Sequence, residues 1–255
     1  MTVKLKKLTK YINSYLNIYD FSDYGPNGIQ VEGKPELNKI SFAVSATRDS
    51  IEQAARNNSD ALIVHHGLIW SFHGAQKITG PYAKRLTPLI KNDINLLGYH
   101  LPLDAHLEVG NAATLAKRLQ MKDIAPFGDY KGSPTGVCAI LEQPEKVEQF
   151  KKRLSKVLSH EVILASHDSD KAIQSIGIIT GGANSDWKLA KRAGLDAYIT
   201  GEISEHDWNE SQESEVHMMA GGHYATEQSG IQALMSHLQD KFEIECNFIS
   251  SENPA

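Results

Sequence analysis

Along this chain, short apolar runs closed by Asp, Gly or His alternate with stretches whose apolar residues recur every three or four positions. The first kind reads as buried strand, the second as amphipathic helix. Leu5, Leu8, Ile12, Tyr15 and Leu16 keep helical spacing and predict a helix over residues 4–18. A turn-rich segment, Asp23-Tyr24-Gly25-Pro26-Asn27-Gly28, leads into a short strand at Ile29-Gln30-Val31. Strands at 40–45 and 61–64, with a helix at 49–57 between them, make a βαβ crossover with a parallel strand pair. A helix at 82–92, interrupted or started near Pro88, a strand at 94–99 and a helix at 111–119 follow.

The middle, residues 126–171, changes character, with Gly and Pro punctuation, a strand at 136–141, a helix at 144–158 and a strand at 162–165. From Ile173 the earlier theme returns as a strand at 175–180, a helix at 186–193, a strand at 196–200 and a helix at 225–235. Asp60-Ala61-Leu62-Ile63-Val64 matches Asp196-Ala197-Tyr198-Ile199-Thr200, each after a helix of similar length. Leu96-Leu97-Gly98-Tyr99-His100 followed by Asp104 likewise matches Met218-Met219-Ala220-Gly221-Gly222-His223 followed by Glu227. An internal duplication is the economical reading. It predicts an α/β fold with βαβ-type repeats around a mixed sheet, in a first lobe over residues 1–125 and a second over 126–255.

At 255 residues, with 41% hydrophobic and 22% charged content, the chain can bury a substantial core. A formal net charge of -5 and the lack of a Lys/Arg stripe disfavour nucleic-acid binding. No segment approaches the roughly 20 apolar residues of a membrane span. Cys138 and Cys246 lie far apart in apolar sequence and give neither a disulfide framework nor a thiolate zinc motif. A cytoplasmic location is the expectation.

The apolar run Ala61-Leu62-Ile63-Val64 ends abruptly in His65-His66-Gly67. Strand tips are where open α/β sheets bind ligands. Side chains alternate along a strand, so both imidazoles serve one site only if the chain turns at the pair, which Gly67 makes cheap. Alone, such a pair is more often two polar residues capping a sheet. Its company is what matters: His65, His66, His100, Asp104, His223 and Glu227 all fall at or just past predicted strand ends. Imidazole and carboxylate without thiolate suit zinc, iron or manganese. The set exceeds the needs of one catalytic ion, so two divalent metal ions are expected, with Glu227 or Asp104 as a bridge. The His223 to Glu227 spacing also fits a capping carboxylate at a helix start. His100 is the candidate for proton transfer.

Glu202, Glu205 and His206 leave a strand tip and can reach the same cleft or lie on the surface. The turn Thr180-Gly181-Gly182-Ala183-Asn184-Ser185 could cradle a phosphate, but matches neither nucleotide fingerprint. No Gly-x-Ser-x-Gly elbow occurs. His160 and His167, isolated in polar sequence, read as surface residues.

Asn27-Gly28-Ile29-Gln30-Val31, Val64-His65-His66-Gly67, Tyr99-His100-Leu101-Pro102-Leu103-Asp104, Thr180-Gly181-Gly182 and Gly222-His223-Tyr224-Ala225-Thr226-Glu227 occur in this order across nearly the whole chain. Together they resemble the NIF-three-like dinuclear metal-centre family, the GTP cyclohydrolase 1 type 2 homologues. The resemblance implies two intertwined α/β lobes, assembled as a toroidal homohexamer with metal pairs facing an inner cavity. It implies that His65, His66, Asp104, His223 and Glu227 are ligands, with Glu227 bridging, and that His100 is a ligand or proton shuttle. The short middle segment lacks the domain inserted in longer members. The expected function is a metal-dependent hydrolase in which a metal-bound hydroxide attacks a small nucleotide-like substrate. The rival is a metal-stapled oligomeric scaffold without turnover.

Overall fold

A computed structural model describes residues 2–255, in which strands and helices are mixed along the chain. In chain order the elements are β1 (Val3–Lys4), α1 (Leu5–Tyr15), β2 (Gly28–Val31), β3 (Glu36–Leu37), β4 (Lys39–Ser45), α2 (Arg48–Arg56), β5 (Ala61–His66), α3 (Gly80–Lys91), β6 (Asn95–Gly98) and α4 (Leu101–Ala105). They continue as α5 (Asn111–Arg118), β7 (Lys122–Tyr130), β8 (Ser133–Lys146), α6 (Val147–Leu158), β9 (Ile163–Ala165), β10 (Ala172–Ile178) and α7 (Trp187–Arg192). β11 (Ala197–Thr200), α8 (Glu205–Glu213), β12 (His217–Ala220), α9 (His223–Phe242) and β13 (Glu245–Phe248) complete the chain. Two compact units result, one of residues 1–103 with 231–252, the other of residues 104–230 with 253–255. The chain passes from the first to the second within α4 and returns within α9.

The first unit holds a mixed sheet in the order β13-β4-β5-β6-β2, and β1 pairs with β3 beside it. β13, β4, β5 and β6 run parallel, and β2 is antiparallel to β6. Residues Ala61 to Val64 of β5 are fully buried, as expected of a strand covered on both faces. Leu62 and Val64 pack with Ile51 and Ala54 of α2 and Leu89 of α3. A capping box starts α2: Ser50 N–H donates to Thr47 Oγ1 at 3.1 Å and Thr47 N–H to Ser50 Oγ at 2.9 Å.

The second unit holds a mixed sheet in the order β7-β8-β10-β11-β12-β9. β10, β11 and β12 are parallel, while β8 and β9 run antiparallel to the strands they flank. Its core joins Phe150, Leu154 and Leu158 of α6 to Ile176 and Ile178 of β10 and Ile199 of β11.

The duplication read in the sequence has a physical counterpart in one paired carboxylate. Asp60, just before β5, accepts from the backbone N–H groups of Asn38 and Lys39 at 2.7 and 3.2 Å, where β4 begins. Asp196, just before β11, accepts from Gln174 and Ser175 N–H at 2.9 and 2.8 Å on β10. The backbones repeat the match, since Asp60 N–H donates to Lys39 C=O at 2.8 Å and Asp196 N–H to Ser175 C=O at 3.0 Å. Each aspartate thus locks the register of the parallel pair whose tip carries the next loop.

Several local expectations are corrected. Helix α3 is continuous from Gly80, with Pro81 in its first turn, where proline is favoured, and Pro88 is absorbed in its last turn. β7 went unpredicted because Pro126, Gly128 and mostly exposed residues hide an edge strand. It pairs with a β8 much longer than the apolar run at 136–141. Helix α9 starts at His223 and runs to Phe242, well past the predicted 225–235. The histidine-bearing strands divide between two sheets, β5 and β6 in one and β12 in the other.

Burial alone would raise the pKa of Asp60, but the Lys34 hydrogen bond and the two backbone donors outweigh it and hold the group below its ordinary 3.8. Its contribution is therefore complete above the ordinary carboxylate range and lost as pH falls through the lowered folded value. Asp60→Ala should cost about 2 kcal/mol at neutral pH in urea denaturation, with the gap to wild type narrowing in acid. A gap that persists unchanged at pH 2 would contradict this role.

Candidate metal centre

The first group of candidate residues sits where β5 and β6 end. His65 is fully buried, and its Nδ1 lies 3.0 Å from the Tyr99 carbonyl oxygen. A carbonyl only accepts, so this nitrogen carries the proton and the neutral ring's lone pair is on Nε2. Tyr99 is held in turn by its hydroxyl, which donates to Asn13 Oδ1 at 3.0 Å. His66 Nδ1 pairs with the Ser45 hydroxyl of β4 at 2.9 Å. His100 Nδ1 pairs with Asp23 Oδ1 at 2.7 Å. Every Nδ1 in the trio is thus committed to a fixed oxygen.

Ring centroids lie 4.5 Å apart for His65 and His66, 5.1 Å for His65 and His100, and 5.7 Å for His66 and His100. One potential ligand nitrogen from each of the three lies within 4.8 Å of the other two. β5 runs through both histidines and the chain turns only at Gly67, so the two rings meet at the strand tip without a turn between them. A convergent imidazole trio whose second nitrogens are anchored is a donor set that fits a divalent transition metal.

The loop before β2 frames this trio. Gln30 Oε1 accepts from Leu68 and Ile69 N–H at 2.7 and 3.3 Å. A Cβ at Gly67 would meet the Gln30 amide, which would have to move and give up its present place against this loop. For Asp23, burial opposes ionisation, yet the hydrogen bond and charge of His100, with Asn27 and the Tyr24 backbone, bring its pKa below the ordinary value. Trp70 meets His100 edge-on at 5.1 Å and donates its indole N–H to Gly67 C=O at 3.0 Å. Phe72, 67% exposed, stacks on Trp70 and forms an aromatic ledge beside the histidines.

The second group belongs to the other unit. Asp104 on α4 is buried and accepts from Asn111 Nδ2 at 2.8 Å and Thr180 Oγ1 at 3.3 Å. A carboxylate oxygen of Asp104 lies within 4.8 Å of one from Glu227, also buried, in the first turns of α9. Two buried carboxylates so close repel unless a cation or a proton joins them. His223, one helical turn before Glu227, places Nε2 3.4 Å from Glu227 Oε1, and its Nδ1 lies 2.6 Å from Glu202 Oε1. Burial lowers the His223 pKa, but the Glu227 and Glu202 carboxylates prevail and raise it to about 9. This group therefore favours positive charge.

Gly181 makes the group possible. Its φ of +71° suits glycine, and any Cβ there would strike the Glu227 carboxylate. The Gly-rich turn thus serves the acidic ligand candidate. Its outer side is a pocket lined by Asp186 and Glu202, a poor place for phosphate.

Glu202 touches His223, whereas Glu205 accepts from Asn209 on its own helix and His206 is an exposed neighbour of Asp207. His160 is half-buried, with its ring nitrogens on the Glu161 and Pro254 carbonyls. His167 is exposed but stacks on buried His217 at 4.3 Å. Reasoning from sequence missed Asp23, Ser45 and Tyr99, which anchor the three rings. Asp23 sits 77 positions before the histidine it holds, and only its place just ahead of Gly25-Pro26-Asn27-Gly28 set it apart.

The family model described as Duf34/NIF3 (NGG1p interacting factor 3) matches residues 3–254. A Pasteurella multocida protein named GTP cyclohydrolase 1 type 2 homolog is 41% identical over 249 residues, covering 98% of each chain. Among solved structures, one titled protein ybgI, unknown function, superposes with a TM-score of 0.93 at 37% identity, covering 99% of this chain and 100% of that one. Thermus thermophilus TTHA1606 gives 0.89 at 31% identity, with the same coverage. With the histidine trio at the end of β5 and β6 and the acidic pair behind Gly181, these matches show that the chain belongs to the Duf34/NIF3 family.

Proposed function

We propose that the protein holds a pair of divalent metal ions, zinc, iron or manganese, and acts as a hydrolase on a small nucleotide-like substrate. The ligands in this reading are His65, His66, Asp104, His223 and Glu227, with Glu227 bridging. The observation that carries it is the convergent imidazole trio with every Nδ1 anchored, supported by two buried carboxylates within 4.8 Å of each other. Bound metal would supply Lewis acidity toward a substrate oxygen and toward water.

The chain's own residues supply the rest. His100, held by Asp23, is placed to accept or return a proton at Nε2. Glu202 holds the His223 ring through Nδ1. Trp70 and Phe72 offer an apolar, aromatic wall on which a planar substrate can rest. The substrate class draws support from the relatives' name, GTP cyclohydrolase 1 type 2 homolog. Among the described residues no helix is long and apolar enough to cross a membrane. A cytoplasmic homohexamer is part of the same reading.

His65→Ala and Glu227→Ala should each lose bound metal, measured by elemental analysis after dialysis, with unchanged circular dichroism; full occupancy in both would overturn the ligand assignment. For wild type, free metal at about a hundred times its Kd should add about 2.7 kcal/mol of stability, and the two variants should show almost none. Metal-loaded protein should hydrolyse a member of a nucleotide and phosphoester panel and lose that activity on chelation. If the panel stays intact while chelation dissolves the assembly, the protein is a metal-stapled scaffold.

A further inference from the structure

We propose that Asp23 is the positioning residue of the site, fixing His100 in the form that presents Nε2 to His65 and His66. This rests on the reading that His100 works beside the metal ligands.

The Asp23 side chain is 3% exposed and that of His100 20%. Asp23 Oδ1 lies 2.7 Å from His100 Nδ1 and accepts the Tyr24 N–H at 2.6 Å. Its Oδ2 accepts from Asn27 Nδ2 at 2.8 Å and from the Leu101 N–H at 3.0 Å. The Tyr24, Asn27 and Leu101 groups can only donate. A carboxyl group surrounded this way acts as an acceptor on both oxygens, so the proton in its bond to His100 belongs to the ring. Nδ1–H fixes the tautomer, and Nε2 becomes the working atom.

Asn27 closes the arrangement. Its Nδ2 donates to Asp23 while its Oδ1 accepts the His100 backbone N–H at 2.8 Å, which settles the orientation of its amide. Main chain and ring of His100 are therefore tied to the same turn. Trp70 and Tyr24 confine the imidazole further, with centroids 5.1 and 5.9 Å away.

The geometry is selective for a carboxylate. An asparagine at position 23 has one oxygen and one NH2, and both positions here face donors. Either orientation would set NH2 against N–H and break one side of the arrangement. Asp23→Glu keeps the charge and both acceptors on a longer arm.

Long-range 1H–15N spectra of the metal-free protein at pH 8 report the tautomer of each histidine, with His100 assigned from the His100→Gln variant. We expect the Nδ1–H form in wild type, a mixture of tautomers in Asp23→Asn with the His217 signal unmoved, and partial recovery in Asp23→Glu. A wild-type His100 in the Nε2–H form would overturn the proposal whatever the variants do, as would an unchanged tautomer in a folded Asp23→Asn. Zinc titration separates this from the wider reading. In Asp23→Asn, zinc affinity should fall roughly tenfold or more if His100 is a ligand, and stay within twofold if it only moves protons; the tautomer change is required in both cases. If wild type binds no zinc but its His100 tautomer follows Asp23, the metal reading fails and the positioning role stands.

Discussion

An imidazole has two nitrogens, and a histidine becomes a dependable ligand or proton carrier only when one of them is already occupied. In this protein a backbone carbonyl, a serine hydroxyl and a buried carboxylate occupy Nδ1 of His65, His66 and His100. Those three oxygens come from β4, from the residue after β6 and from the loop before β2. Any slip in register among these segments would release a ring. The chemistry of the first unit therefore depends on how firmly its strands are aligned.

That alignment is built twice by the same device. Asp60 bridges the start of β4 from the residue before β5, and Asp196 bridges β10 from the residue before β11. Both are short acceptors facing backbone N–H groups, an arrangement that costs little and tolerates no shift. The strands then carry the polar residues at or just past their C-terminal ends, with His65-His66 closing β5, His100 two residues after β6 and His223 opening α9 after β12. Polar side chains crowd the backbone at two glycines, Gly67 against Gln30 and Gly181 against Glu227, and at Gly181 the positive φ itself favours glycine.

This logic also explains what could be read from the chain alone. The β5 run and its terminal histidines stand out because a buried strand is apolar throughout and ends abruptly. The Asp-Ala match between 60–61 and 196–197 was visible because the bridging carboxylate must sit at the same place in each repeat. Glu202 was noticed near a strand tip, but its bond to His223 depends on tertiary placement. Asp23 and Asn27 read as turn residues and Gln30 as part of a short strand, because their partners, His100 and Leu68, are distant in sequence. The β7 edge and the full length of α9 were hidden for another reason: exposed strands and polar helix ends carry little periodic signal.

Anomalous diffraction from crystals grown with added metal, recorded on both sides of the metal absorption edge, bears most directly on the proposed metal centre. Under the proposed reading, the expected result is anomalous peaks with Nε2 atoms of the β5 histidines among their nearest neighbours. Peaks lying away from those side chains, or bonded through Nδ1 with the Tyr99 and Ser45 hydrogen bonds broken, would contradict the account.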